Sequence, residues 1–382
     1  MRFVAVFLIL WLCLLCNHQA SLLLPKMQIE TFSPMERSHT MEKEGIYMTI
    51  VSDCRDGGGF LMCTAMAMQT SQGGPFFGRT MDFSYPLEPE LYIAAKGYEW
   101  INTLGTHKIC NQFQFMGIGQ NISPVVFADG VNERGFAAAV LYFPGYAHYD
   151  IYNARDPRQP IAALELVGFL LGSCATLDQA ASLLPTIQII GSKDSVTNSV
   201  APLHWIIADE SGQCKVIEKM ADGLHILDNP IGILSNSPDF SWHLTNLRNY
   251  MNVVPSQQPE AVWSSVPLTP FGQGGGSMGL PGDYTPPARF VRAAYLKSHI
   301  QPPTGQLEAV NACFHIMESV SIPKGIVITS RGASDYTQYT AFMDLGAKQY
   351  FFKTYDHSQI LSAKLAENPH FDAKMMSLGK LS

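Results

Sequence analysis

From residue 63 onward the apolar positions fall in short runs split by turn residues. CTAMAMQT and PFFGRTMDF flank SQGG, which predicts two strands joined by a tight turn. LYIAAK and GFAAAVLYF are further strand-length runs, and DGVNERG before the second reads as a turn-rich loop. IAALELVGFLLG is apolar almost throughout and predicts a buried helix. Thr176 then stands as an N-cap for LDQAASLL, with Gln179 at the capping-box position. LHWIIAD and CKVIEKM around ESGQ predict a hairpin, and GLHILD and IGILS extend that sheet. Three helical stretches follow: DFSWHLTNLRNYM, with Trp242, Leu244 and Leu247 among its apolar positions; PPARFVRAAYLKSHI, which opens on proline; and QLEAVNACFHIMESV. YTAFMDLGAKQYFFKTY closes the pattern as a hairpin around DLGAK. The order is strands, two helices, strands, three helices, strands. Short turns between successive strands favour antiparallel pairing, so the fold class is α+β, with helices layered on antiparallel sheet.

The first sixty residues follow another pattern. Met1-Arg2, an apolar run from Phe3 to Cys16 and the polar exit NHQAS resemble a secretory signal over residues 1–20. The run is too short for an ordinary spanning helix. Residues 21–62 are polar, methionine-rich and aperiodic, and read as an extension or propeptide that is removed or never translated. Residues 63–382 read as a single domain. Two readings of the start stand open. A translated signal places the protein outside the cell or in its envelope. Translation from Met62 places it in the cytoplasm, with the codons of Gly57, Gly58 and Gly59 as a ribosome-binding sequence.

Composition narrows the function classes. Apolar residues make up 47% and charged residues 15%, which suits a large core. The net charge is -7 with no basic block, so neither a nucleic-acid footprint nor an anionic membrane patch is expected. The eight cysteines are scattered; Cys13 and Cys16 have motif spacing but sit inside the apolar run, and no partner pair suggests zinc. Gly274, Gly276 and Gly279 spell a dinucleotide fingerprint, yet no strand feeds them and Pro281 follows, so they read as a loop and no cofactor is expected. No Gly-x-Ser-x-Gly elbow or papain-type cysteine pattern occurs. His204, His243 and His315 read as structural.

What remains is GGGFLMCTAM. If everything before Cys63 is removed, that residue carries both a thiol and a free α-amine. Such an amine has an ordinary pKa near ~8, so one residue supplies nucleophile and base without a histidine. Arg79 and Asp82, on the paired strand, would favour the thiolate and orient the ammonium respectively.

Cys63-Thr64, FFGRTMDFSY, FADGVNERG, LHWIIAD, LDNPIGILSNSPDFSWHLTNLRNY, GLPGDYTPPARFVRA and DYTQYT together resemble the choloylglycine hydrolase family of conjugated bile salt hydrolases and penicillin V acylases, over essentially all of residues 63 to 382. The resemblance implies a four-layer αββα N-terminal nucleophile hydrolase sandwich with two antiparallel sheets. It implies hydrolysis of a linear amide C–N bond in a small-molecule substrate and a homotetramer. By position, Cys63 is then the nucleophile, Arg79 sits by the thiol, Asp82 holds the amine, Asn236 donates to the oxyanion and Arg289 adds positive charge. Tyr142 in LYFP stands where typical bile salt hydrolases carry asparagine and where penicillin V acylases carry tyrosine. This favours a penicillin V acylase-like activity, with bile salt hydrolysis as the alternative. Acyl homoserine lactone cleavage and a silent binding protein on the same fold stand further back.

Overall fold

Strand β1 (Leu61–Gln69) and strand β2 (Pro75–Phe83) form the hairpin that the SQGG turn predicts, with Cys63 opposite Met81 and Met62 opposite Asp82. The computed structural model describes residues 61–122, 124–194, 198–365 and 374–381. Expectations for residues 1–60 lie outside the described residues. The two large sheets continue, a short Val327–Ile328 strand beside β11 aside, with β3 (Glu90–Ala94), β4 (Phe115–Asn121), β5 (Val125–Asn132), β6 (Ala137–Tyr142), β7 (Leu203–Ala208), β8 (Cys214–Met220), β9 (Gly223–Asp228), β10 (Ile233–Leu234), β11 (Ser334–Asp344), β12 (Gln349–Thr354), β13 (Leu361–Lys364) and β14 (Met375–Lys380). One sheet runs β10-β1-β2-β11-β12-β13 and the other β9-β8-β7-β6-β5-β4-β3-β14, with every pairing antiparallel.

The layering follows from strand alternation. Along β6, Ala137, Ala139 and Leu141 join the core shared with the first sheet, while Ala138 and Tyr142 join the core under helix α1 (Leu166–Ser173) and helix α2 (Leu177–Leu183). Helix α4 (Pro286–His299) and helix α5 (Gln306–Glu318) pack on the outer face of the first sheet through Phe290, Ala293, Ala309 and Phe314. Thr176 caps α2 by accepting from Gln179 N at 3.2 Å; the Gln179 side chain reaches back to Ala175 N, one residue before the cap.

Three expectations are corrected. DGVNERG is not all loop: β5 runs through Asn132, and only 133–135 turn. Strand is possible there because Asp129 meets hydroxyls of the facing sheet and Gly130 has no Cβ to collide with Leu171 of α1. IAALELVGFLLG begins as strand: Gln159–Ala162 pairs in parallel with Ile187–Ile190, and the helix starts only at Leu166. The chain turns there because the Glu165 carboxylate accepts the backbone N–H groups of Ala162 and Thr103 at 3.1 and 2.6 Å.

The third correction shapes the site. IGILS does not extend the β9 sheet. Gly232, at φ 68°, and the Asn229 side chain (accepting from Gly232 N at 2.7 Å) turn the chain, and β10 crosses to pair with β1 in the other sheet. The crossing delivers Asn236 beside Cys63. Helix α3 (Phe240–Asn246) follows, buried through Phe240 and His243, with Trp242 exposed.

Candidate active site

Cys63, Arg79, Asp82, Tyr142, Asn236 and Arg289 are all buried and converge at one end of the β1–β2 pair. Residues 79 and 82 are an odd number apart on a strand, so their side chains leave opposite faces. Arg79 points between the two sheets. Its Nη1 donates to Val140 O at 2.7 Å and Ala128 O at 3.1 Å, its Nε to Thr80 O at 3.1 Å, and its Nη2 directly to Cys63 Sγ. Burial pushes the Cys63 thiol up, and the Arg79 guanidinium pulls against that.

Asp82 lies on the helix-facing side of the sheet. It accepts from Thr337 Oγ1 at 2.5 Å and Thr80 Oγ1 at 3.4 Å, with Arg289 Nη1 at 3.8 Å. Burial pushes its carboxyl up to about 6, against the pull of Arg289 and these hydroxyls. Arg289 enters from the first turns of α4, where Thr285 is the N-cap. It donates to Cys63 O and Thr64 Oγ1, both at 2.7 Å, to Asn236 Oδ1 at 2.6 Å and to Tyr284 O at 3.1 Å. Asn236 Oδ1 also accepts the Cys63 backbone N–H at 2.8 Å, and its Nδ2 donates to Tyr142 O at 2.8 Å. The Cys63 nitrogen, a peptide nitrogen in the full chain, therefore donates to Asn236.

Two participants were not singled out as functional from sequence. His243, read there as structural, lies 2.7 Å by Nε2 from Asn236 O. A carbonyl only accepts, so Nε2 carries the proton. Burial lowers this imidazole to about 4, so the neutral tautomer pins the Asn236 backbone. His204 is buried against Glu218 at 3.2 Å, and His315 is exposed. Behind Arg79 sits Asp129, fully buried, accepting Tyr339 Oη at 2.7 Å and Tyr350 Oη at 2.6 Å. These partners come from β11 and β12, more than two hundred residues away, so no local pattern could have found them. Asp129→Ala strands two buried hydroxyls, each costing ~1–3 kcal/mol when unpaired. Urea denaturation is expected to show a stability loss of about 3 kcal/mol, and a loss below about 1 kcal/mol would show that the hydroxyls find other acceptors.

Two cavities reach the neighbours of Cys63, one at Met81 and one at Met62. One is apolar, lined by Met81, Phe83, Leu87, Ile118, Val126, Phe127, Val140, Tyr142, Leu164, Leu203 and Tyr339. It lies on the inter-sheet side, where the thiol points. The second lies against Met62, walled by Tyr142, Pro144, Asn236, Ser237, Pro286, Thr329 and Asp335. Tyr142 borders both.

The sequence profile described as linear amide C–N hydrolases, choloylglycine hydrolase family, matches residues 63–376. A bile salt hydrolase/transferase of Clostridium perfringens (strain 13 / Type A) is 32% identical over 301 residues, 78% of this chain and 91% of that protein. A penicillin V acylase of Pectobacterium atrosepticum is 26% identical over 247 residues, 59% of this chain and 58% of that protein. Among solved structures, a mutant conjugated bile acid hydrolase from Clostridium perfringens superposes with a TM-score of 0.77 at 30% identity, covering 83% of this chain and 96% of that one. The αββα layering is thus that of the N-terminal nucleophile hydrolases. The profile match opens on Cys63, where the buried polar cluster is centred, and this chain belongs to the choloylglycine hydrolase family of linear amide C–N hydrolases.

Proposed function

We propose that this protein hydrolyses amides joining a bulky apolar acyl group to an amine, of the conjugated bile acid kind, with Cys63 as an N-terminal nucleophile once residues 1–62 are absent. The observation that carries this reading is the apolar cavity ending at Met81 and Tyr142 on the thiol side of Cys63. The freed α-amine takes the thiol proton as Sγ attacks the carbonyl carbon and a C–S bond forms. The oxyanion is held by Asn236 Nδ2 and the Tyr142 backbone N–H. Phe143 N–H is taken by Pro202 O across to β7, so by ladder alternation Tyr142 N–H turns the other way, the side on which Asn236 meets Tyr142 O. The Cys63 ammonium then protonates the amine nitrogen as the C–N bond breaks. Water, deprotonated by the same amine, cleaves the thioester and releases the acid.

The relatives named for bile salt hydrolysis are more similar, over more of their length, than the penicillin V acylase. That similarity favours the bile acid reading over the penicillin V acylase reading drawn from Tyr142. The second reading keeps one specific support, the Tyr142 ring in the wall of the acyl cavity. Release of cholate from glycocholate is expected to exceed release of phenoxyacetate from penicillin V at least tenfold in kcat/KM. The opposite ratio would restore the acylase reading.

A further inference from the structure

The two oxyanion donors of the proposed reaction come from different sheets. Tyr142 ends β6, while Asn236 follows β10, which pairs with β1 in the other sheet. They are 94 residues apart in the chain, so their spacing depends on contacts that join the sheets. One buried carboxylate lies at that junction. Glu218 of β8 is fully buried; its Oε1 accepts from Phe240 N–H at 3.0 Å and meets His204 Nδ1 at 3.2 Å. A carboxylate oxygen accepts, so His204 Nδ1 carries the proton. The mechanism above uses neither residue.

The two contacts of Glu218 lead to the two donors. On one side, Phe240 is the first residue of α3, and His243 on the same helix donates to Asn236 O at 2.7 Å. The place of α3 therefore sets the backbone of Asn236. On the other side, His204 stands on β7 opposite Leu141, and its ring stacks on Phe143 at 4.2 Å with 7° between the planes. Leu141 and Phe143 flank Tyr142. Strands β8, β7 and β6 are neighbours in one sheet, so Glu218 ties α3 to the sheet that carries Tyr142. Resting on the proposed reaction, we infer that Glu218 is a positioning residue that holds the Asn236 amide in register with the Tyr142 N–H, with His204 steadying the carboxylate. Energetics points the same way. No Lys or Arg among the described residues pairs with Glu218, and a buried carboxylate so weakly compensated is a poor source of net stability. A misplacement of about 1 Å at a catalytic group costs on the order of 10²-fold in rate, so geometry is what Glu218 supplies.

The test measures hydrolysis of glycocholate and of penicillin V by the full chain as expressed. Glu218→Leu removes the acceptor and is expected to lower kcat ~10–10²-fold on whichever amide turns over, with KM within about threefold. Glu218→Gln keeps an acceptor for Phe240 N–H and should retain kcat within about threefold. Alkylation of Cys63 by iodoacetamide displaces iodide and builds no oxyanion. Its rate, followed by mass on the Cys63 peptide, should therefore be the same in Glu218→Leu as in the unaltered protein. In Asn236→Ala no amide is left to place, so adding Glu218→Leu should cost less than about threefold more. Should Glu218→Leu fail to fold, Glu218→Asp draws the acceptor back by one methylene and is expected to lower kcat about tenfold. A folded Glu218→Leu with kcat within about threefold of normal would overturn the inference and leave the proposed reaction standing. So would Glu218→Gln as impaired as Glu218→Leu, alkylation that falls in step with kcat, or losses that multiply with Asn236→Ala. Turnover of neither amide by the unaltered protein would overturn that reaction and the inference with it.

Discussion

Cys63→Ala is expected to abolish amide hydrolysis, and Cys63→Ser to lower kcat/KM by at least ~10²-fold. The physical reason lies in the balance at the thiol. Arg79 donates to Sγ, yet burial still pushes the thiol above its ordinary range, so it rests protonated and needs a base. No histidine among the described residues bonds to it; His243, at Asn236 O, acts on the backbone. The nitrogen of Cys63 is the group at hand, but as a peptide N–H it has no basic lone pair and is committed to Asn236 Oδ1. Freed as an amine, it titrates near ~8 in the ordinary case. Intact mass should therefore show active protein beginning at Cys63. Full activity from a chain that still carries Met62 would remove the amine from the mechanism, and undiminished turnover by Cys63→Ala would remove the thiol.

What the sequence disclosed and what it hid divide by range. The β1–β2 hairpin, the β7–β8 hairpin and helices α3 to α5 were legible because their signals are local: a Gly-bearing turn, apolar positions at helical spacing, a proline at a helix start. Strand β4 was missed because FMGIGQN carries two glycines. Both are there for close approach, since a Cβ at 117 or 119 would press on carbonyls of β5. The place of Arg289 at the site was reached only through family resemblance, and its bond to Cys63 O, 226 residues apart, came from the structure. Asp129 was not singled out at all, because what gives it its character is burial and two tyrosine partners set by sheet packing. The opposite-face placement of Arg79 and Asp82 follows from alternation alone, and it separates two tasks. Arg79 meets the sulfur between the sheets, while Asp82 stands with Arg289 on the helix side, where Arg289 bonds Cys63 O and Asn236 Oδ1.

Asn236→Ala is expected to lower kcat by ~10²–10³-fold with a much smaller change in KM, the usual effect of losing one preorganised oxyanion donor. The amide cannot turn over in its site. Its Oδ1 accepts two donors, Cys63 N–H and Arg289 Nη2, so Nδ2 must face Tyr142, donating to Tyr142 O, on the side where the proposed reaction puts the oxyanion. His243 fixes the same residue from its backbone side. Asn236→Asp makes the stricter test. It keeps an acceptor for Cys63 N–H and Arg289 and so should preserve the fold, but it replaces the donor by a second acceptor. The loss in kcat on glycocholate should equal or exceed that of the alanine variant, with thermal stability within a few degrees of the unaltered protein. A kcat for Asn236→Asp within tenfold of normal would mean that the oxyanion is held by the Tyr142 backbone N–H alone, and that the Asn236 amide serves only to tie α4 to the end of β1.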